Sequence, residues 1–186
     1  MKHILILFII SLSLSSCGTY RINNTSSFGK IKELSELNGT YQNQLYSWKK
    51  SRYNILYLFG CWERIDGDID TAIAIQKSID SVTIQFPDDT TLLVSYSVND
   101  TVLSKEFKGK KKRKFFEIYF EKDQFIIPFI FGRVYVERVR IGRYKKTNDL
   151  HIRYLYQRAG WLFFLSGGAD DMFGYEASLV HKRIGE

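Results

Sequence analysis

The residue types that carry most enzyme chemistry are sparse in this 186-residue sequence. It contains three histidines and two cysteines, Cys17 and Cys61. It contains no Gly-x-Ser-x-Gly motif, no His-Glu-x-x-His motif and no phosphate-binding glycine loop. Asp170, Asp171 and a histidine could still meet in the fold and work as general acid and base. We nevertheless expect a protein without catalytic residues and without a cofactor.

An acidic stretch offers a candidate calcium loop, with Asp66, Asp68 and Asp70 at alternate positions. An EF-hand loop that starts at the first of these needs glycine at its sixth position and glutamate at its twelfth. The sequence has Thr71 and Lys77 there. We therefore expect a solvated acidic loop and no metal site.

Basic residues outnumber acidic ones, and the formal net charge is +7. Six cations fall within residues 108–114. Such a cluster could contact an anionic surface, such as the phosphates of lipid headgroups or lipopolysaccharide. It could equally be a solvated hairpin turn whose charges discourage edge-to-edge strand pairing. The candidate contact residues are Lys110, Lys111, Lys112 and Arg113.

A second basic region runs from residue 133 to residue 146. Within it, Arg138 and Arg140 share one face of a predicted strand, because side chains alternate between the two faces. Facing inward, they could bind a carboxylate or phosphate headgroup of a ligand, or pair with buried acids. Facing outward, they would be ordinary surface charges.

Residues 125–131 form an uninterrupted apolar run of seven residues. The run is too short to span a bilayer. It is either an exposed contact site for a partner, a membrane or an apolar ligand, or a buried crossing of the core. The sequence leaves both interpretations open.

Period-2 alternation predicts strands through most of the chain after residue 80. Short turns, among them Asn99-Asp100, predict an antiparallel meander of about nine strands. We expect further strands at 133–142, 149–157, 160–166 and 173–182, with Ala159-Gly160 as one of the breaks. Short helical segments are expected only before residue 60, near residues 30–37 and 51–59.

The N-terminus has the layout of a secretory signal, with a basic start, an apolar segment and small residues. The apolar segment is too short to cross a bilayer. Residues 18–30 are rich in Ser, Asn, Thr and Gly, which predicts a flexible tether. The remaining chain, residues 31–186, is long enough for one domain with its own core.

Leu14-Ser15-Ser16-Cys17 resembles the lipobox of bacterial lipoproteins. The resemblance implies that residues 1–16 are a signal peptide and that Cys17 becomes an acylated N-terminus anchored in a membrane. Gly18, where such families carry Asp for inner-membrane retention, favours the outer membrane. Cys61 would then lack a disulfide partner and is expected to be a small buried hydrophobe. Nucleic acid is not an expected partner of such a protein.

The layout as a whole is similar to that of small lipoproteins of Gram-negative bacteria and, in its strands, of lipocalins. Gly39-Thr40-Tyr41 stands where lipocalins have Gly-x-Trp, and Arg183 matches their packing arginine. Their Thr-Asp-Tyr segment is missing. The resemblance implies a mainly β fold, an antiparallel meander that closes into a small up-and-down barrel.

Two functions follow as expectations. In the first, the anchored barrel binds an apolar or amphiphilic small molecule, with Arg138 and Arg140 supplying polar contacts. In the second, the protein is a non-catalytic interaction protein of the cell envelope. Its contact surfaces would be the basic cluster and the apolar run at residues 125–131.

Overall fold

A computed structural model describes residues 25–43, 54–59, 78–127, 130–162, 165–166 and 173–185. These residues form a mainly β structure with two antiparallel sheets and two single-turn helices, which confirms the predicted fold class. The 3₁₀ helix covers Leu34–Leu37, and α1 covers Ile55–Leu58. The strands are β1 Gly39–Gln42, β2 Ser81–Gln85, β3 Thr91–Val98, β4 Thr101–Lys108, β5 Lys110–Lys111, β6 Phe116–Ile127, β7 Phe131–Arg143, β8 Leu150–Leu162, β9 Leu165–Ser166 and β10 Phe173–His181.

The first sheet has the strand order β1-β2-β3-β4. Buried and partly exposed positions alternate along β2 and β3, as period 2 requires of strands with one face on the core. The β3–β4 hairpin turns at Asn99 and Asp100, whose φ angles are 49° and 63°. Both residue types tolerate positive φ, so the predicted two-residue turn is confirmed.

The second sheet has the order β10-β8-β7-β6-β5, and β9 pairs with β8. Its three central strands are 12 or 13 residues long. The predicted break at Ala159-Gly160 is wrong, because β8 continues through it to Leu162. Its pairing with β7 persists past this point, from Arg133 opposite Gly160 to Phe131 opposite Leu162. A glycine within a paired strand weakens it without ending it.

One core cluster lies between the sheets and draws on both of them. Ile84, Leu92 and Val94 of the first sheet are fully buried, as are Phe116 and Ile141 of the second. Side chains of the two single-turn helices join the same cluster. The helices therefore close the core instead of forming a separate layer.

Short backbone contacts connect the sheets at one edge. The Gln42 amide donates to the Lys182 carbonyl over 2.9 Å, and the Ile184 amide donates to the Thr40 carbonyl over 2.8 Å. On the far side, the chain passes from β4 through Gly109 directly into β5 of the second sheet. An unbroken ladder around a closed barrel is not found among the described strands.

Residues 27–29, which the sequence assigns to the tether, contact the end of β7 and the residues that follow it. Phe28 is buried and forms an isolated bridge with Tyr144, and the Gly29 amide donates to the Arg143 carbonyl over 2.8 Å. The Phe28 ring lies 5.4 Å from that of Phe115. The Phe28 side chain and these backbone contacts therefore hold a segment whose polar composition is typical of a tether.

Candidate functional site

Arg138 and Arg140 lie on the face of β7 opposite to the core residues Val139 and Ile141. Both contact the buried carboxylate of Glu117 on β6. Arg140 Nε donates to Glu117 Oε1 over 2.8 Å, and Arg138 Nη1 lies 3.4 Å from the same oxygen. Pairing with a buried acid is one of the alternatives that the sequence offered. Ligand binding by the two arginines stays a prediction.

The same face carries a second ion pair, between Arg153 of β8 and Glu176 of β10. Burial lowers the pKa of Arg153, and the charges of Arg140 and Arg138 lower it further. The gap between these side chains measures only about 10 Å³, room for about one water molecule. It is lined by Arg138, Arg140, Arg153, Tyr154, Leu155 and Glu176. The two ion pairs of this cluster therefore link neighbouring strands of the second sheet.

Sequence reasoning missed the acidic members of this cluster. Glu117 pairs directly with Arg140 across β6 and β7, and Glu176 lies opposite Leu155, next to Arg153. Only the register between strands brings these charges together. A search for opposite charges at matching positions of neighbouring predicted strands could have found them.

Two of the three histidines lie among the described residues, and both are in the interior of the fold. His151 and His181 are buried, and burial lowers the pKa of each to about 4. His151 Nε2 lies 2.8 Å from the Ser178 hydroxyl oxygen, and His181 Nδ1 lies 2.9 Å from the Gln42 carbonyl oxygen. A general base works best with a pKa near the operating pH. With pKa values of about 4, both imidazoles are therefore neutral at pH 7.

A carboxylate on the core-side face of the long strands holds two phenols in place. Glu137 accepts a hydrogen bond of 2.8 Å from the Tyr154 hydroxyl and one of 3.3 Å from the Tyr135 hydroxyl. Burial and the nearby negative charge raise the pKa of Tyr135 to about 12 and also raise that of Tyr154. Both phenols are therefore protonated at neutral pH and donate hydrogen bonds to Glu137.

The basic cluster at residues 108–114 runs from the last residue of β4 through β5 into the hairpin that leads into β6. The Lys112 amide donates to the Phe115 carbonyl over 2.8 Å, which closes the turn. Lys111 pairs with Asp89 over 2.9 Å. Within the described ranges, no carboxylate pairs with the side chains of Lys110 or Arg113. Residues 110–114 thus lie in the β5–β6 hairpin of the second sheet. The expected single meander is interrupted here, because β4 belongs to the first sheet and β5 and β6 to the second. Contact with an anionic surface stays a prediction.

The apolar run at residues 125–131 forms the end of the β6–β7 hairpin. Phe125, Ile127, Ile130 and Phe131 are between 37% and 50% exposed, so the described part of the run does not cross the core. The rings of Phe125 and Phe131 lie 6.1 Å apart. These four residues are called the apolar tip below.

Several candidate residues lie outside the described ranges: Cys17, Cys61, the acidic stretch at 66–70, Asp170 and Asp171. No group of three or more metal-binding side chains is found among the residues that are described. Of the helices present in those ranges, none has the length and apolar character to cross a membrane.

Comparisons of the chain with protein-family models, curated proteins and solved structures find no match.

Proposed function

We propose that this chain is a lipid-anchored, non-catalytic interaction protein of the cell envelope. The supporting observation is the apolar tip, where four large apolar side chains remain exposed at the end of the second sheet. An exposed apolar cluster of this kind is typical of a contact surface.

The partner of the apolar tip is proposed to be a protein with an apolar surface of its own. Charges that flank the tip are balanced, since Arg133 pairs with Asp123, and Glu121 precedes Lys122. A tip that inserts into an anionic membrane is expected to carry an excess of basic residues instead. A protein surface with an apolar centre and a polar rim suits this arrangement better.

Binding of an apolar small molecule between the sheets has less support. Large side chains, among them Leu92 of the first sheet, Phe116 of the second and Phe59 at the end of α1, are buried together in one cluster there. Small barrels are commonly filled by their own side chains. A ligand could bind between the sheets only if these side chains moved out of the space that they fill.

A lipocalin-like barrel is proposed as the finer description of the fold. Two observations support it: the backbone hydrogen bonds between β1 and residues 182–184, and the direct passage from β4 into β5. The guanidinium of Arg183 lies over the Tyr41 ring and close to Gly39. This contact agrees with the resemblance of Gly39-Thr40-Tyr41 and Arg183 to the lipocalin residues.

The membrane anchor is proposed to be acylated Cys17 in the outer membrane. The support is the match of Leu14-Ser15-Ser16-Cys17 to a lipobox and the glycine at position 18. A Cys17→Ser variant should lose both the lipid mass and its membrane fractionation. Unchanged membrane fractionation would contradict this part of the proposal.

Site-specific photocrosslinking in intact cells tests the proposed contact. A photoreactive amino acid at Ile130 should give a discrete protein adduct, which a second change, Phe125→Ser, should abolish. Val102 on β4 is the matched control, because it is even more exposed, at 70%, and lies in the other sheet. An absent adduct at Ile130, lipid adducts only, or the same adduct from Val102 would overturn the proposal.

A further inference from the structure

A basic cleft lies at the end of the second sheet opposite to the apolar tip. Its volume is about 400 Å³, and its lining contains four cationic side chains and no carboxylate. The lining residues are Phe28, Gly29, Lys30, Lys114, Arg143, Lys145 and Asn148. They come from three stretches of chain that are far apart in sequence, so only the fold creates the cleft.

Backbone contacts hold the N-terminal side of the cleft in place. The Lys145 amide donates to the Ser27 carbonyl over 3.0 Å, next to the bridge between Phe28 and Tyr144. Arg143 Nη2 donates to the Lys30 carbonyl over 2.6 Å. These contacts with the end of β7 and the residue after it therefore hold the backbones of Lys30 and Lys145 near each other.

The third stretch reaches the cleft through a close approach of two backbones. A β-carbon on Gly142 would lie 2.6 Å from the Lys114 carbonyl oxygen. Since glycine has no β-carbon, the hairpin that follows β5 can lie directly against β7. The two basic regions of the sequence meet at this point, and Lys30 adds a charge from the N-terminal segment.

The charges of the cleft are only partly neutralised. Arg143 Nη1 lies 3.6 Å from a carboxylate oxygen of Glu36, beyond the lining. In the part of the chain that the structure describes, no carboxylate pairs with the side chains of Lys30, Lys114 or Lys145. Like charges that line one concave surface focus a positive potential there, which attracts anions.

We propose that this basic cleft binds the phosphates of anionic lipid headgroups. It is open and lined by flexible lysines, which suits a surface of headgroups better than a single enclosed anion. The described chain begins at Thr25, whose carbonyl accepts a hydrogen bond from the Phe28 amide at the cleft, and seven residues lie between it and Cys17. The eight steps from Cys17 to Thr25 span at most about 28 Å, so an anchored chain would keep the cleft near its membrane. This biological setting, though not the binding itself, rests on the proposed anchor.

Such docking would also orient the domain. The cleft lies at the Arg143 end of β7, and the apolar tip lies at the Phe131 end, twelve residues away. Twelve steps along a strand cover about 40 Å. The apolar tip would therefore point away from the anchoring membrane, towards a protein partner.

Vesicle binding tests the cleft without the acyl anchor when the chain begins at residue 17 and carries Cys17→Ser. This chain should sediment with phosphatidylcholine vesicles that contain 30% phosphatidylglycerol and not with pure phosphatidylcholine. Adding Lys114→Glu and Lys145→Glu should weaken binding by at least about tenfold. The control, Lys122→Glu with Lys182→Glu, makes the same change of charge at exposed sites outside the cleft and should retain most of the binding.

Three results would overturn the proposal: equal binding to both kinds of vesicle, an equal loss in the control, or full displacement by inorganic phosphate at constant ionic strength. The last result would identify a site for free phosphate. The proposed anchor is tested separately by the mass of the wild-type chain purified from cells. A mass without the added lipid would contradict the anchor and leave the cleft proposal standing. A fluorescent amino acid at Ile130 should keep its emission maximum on vesicle binding. A blue shift would contradict the orientation.

Discussion

Arg183 lies over the ring of Tyr41, with 5.7 Å between the guanidinium carbon and the ring centre. The same guanidinium donates hydrogen bonds to the carbonyl oxygens of Asn38 and Glu36. One side chain from the C-terminal end thereby joins the 3₁₀ helix and β1. Because β1 and residues 182–184 are also joined by backbone hydrogen bonds, this contact secures the edge where the two sheets meet.

Replacing Arg183 with alanine should therefore destabilise the domain. The loss includes a cation–π contact and charge-assisted hydrogen bonds, and we expect the free energy of unfolding to fall by about 2 kcal/mol. Urea denaturation followed by circular dichroism measures the change. Lys182→Ala, at the exposed neighbouring position, should change the free energy of unfolding by less than about 0.5 kcal/mol. Equal effects of the two variants would contradict the role given to the Arg183 contact.

Glu117→Gln should be more costly, because it removes the negative charge that Arg138 and Arg140 share. Breaking a buried ion pair by removing one partner costs about 3 kcal/mol or more. Asp123→Asn is the matched control, since Asp123 pairs with Arg133 at an exposed site. For Asp123→Asn we expect the free energy of unfolding to fall by less than about 1 kcal/mol. Chemical denaturation at pH 7 compares the two, and a smaller effect at Glu117 than at Asp123 would refute the prediction.

Stability should fall as the pH drops below about 6.5. Burial lowers the pKa of His151 and His181 to about 4, whereas an unfolded histidine titrates near about 6.5. The unfolded state therefore binds more protons between these values, and acidification favours it. Between pH 6.5 and 5, each histidine should remove about 2 kcal/mol from the free energy of unfolding.

Urea titrations at pH 7, 6 and 5 measure this slope. A His181→Asn variant should show about half of the slope, even if its stability at pH 7 is lower. This window lies above the range in which most carboxylates titrate, so their contribution is small. A stability that is constant from pH 7 to pH 5 would show that the histidines are not buried as neutral groups.

Gly142→Ala should destabilise the domain and widen the basic cleft. Its β-carbon would meet the Lys114 carbonyl oxygen at 2.6 Å and the Phe28 ring at 2.7 Å. Overpacking of this kind costs about 1–3 kcal/mol. Gly160→Ala is the control, since its nearest contact would be an ordinary 3.6 Å. Thermal unfolding should separate the two variants, and equal transition temperatures would contradict the close approach at Gly142.

The sequence by itself determined the fold class and most of the strands. Alternation at residues 82–86 and 92–98 and the Asn99-Asp100 turn predict β2, β3 and the β3–β4 turn correctly, because period 2 and positive φ are local properties. The break expected at Ala159-Gly160 was wrong, because pairing with β7 outweighs the weak local preference of glycine. Local patterns do not contain the pairing between distant strands.

Tertiary structure alone decided which charges meet and which apolar residues stay exposed. Arg138 and Arg140 could have faced either way, and the register of β6 against β7 sets Glu117 beside them. The run at residues 125–131 could also have crossed the core, and the exposure of the apolar tip follows from its place at the hairpin end of two long strands. The basic cleft joins Lys30, Lys114 and Lys145. Such long-range neighbours depend on how strands pair and pack, which is a property of the whole chain.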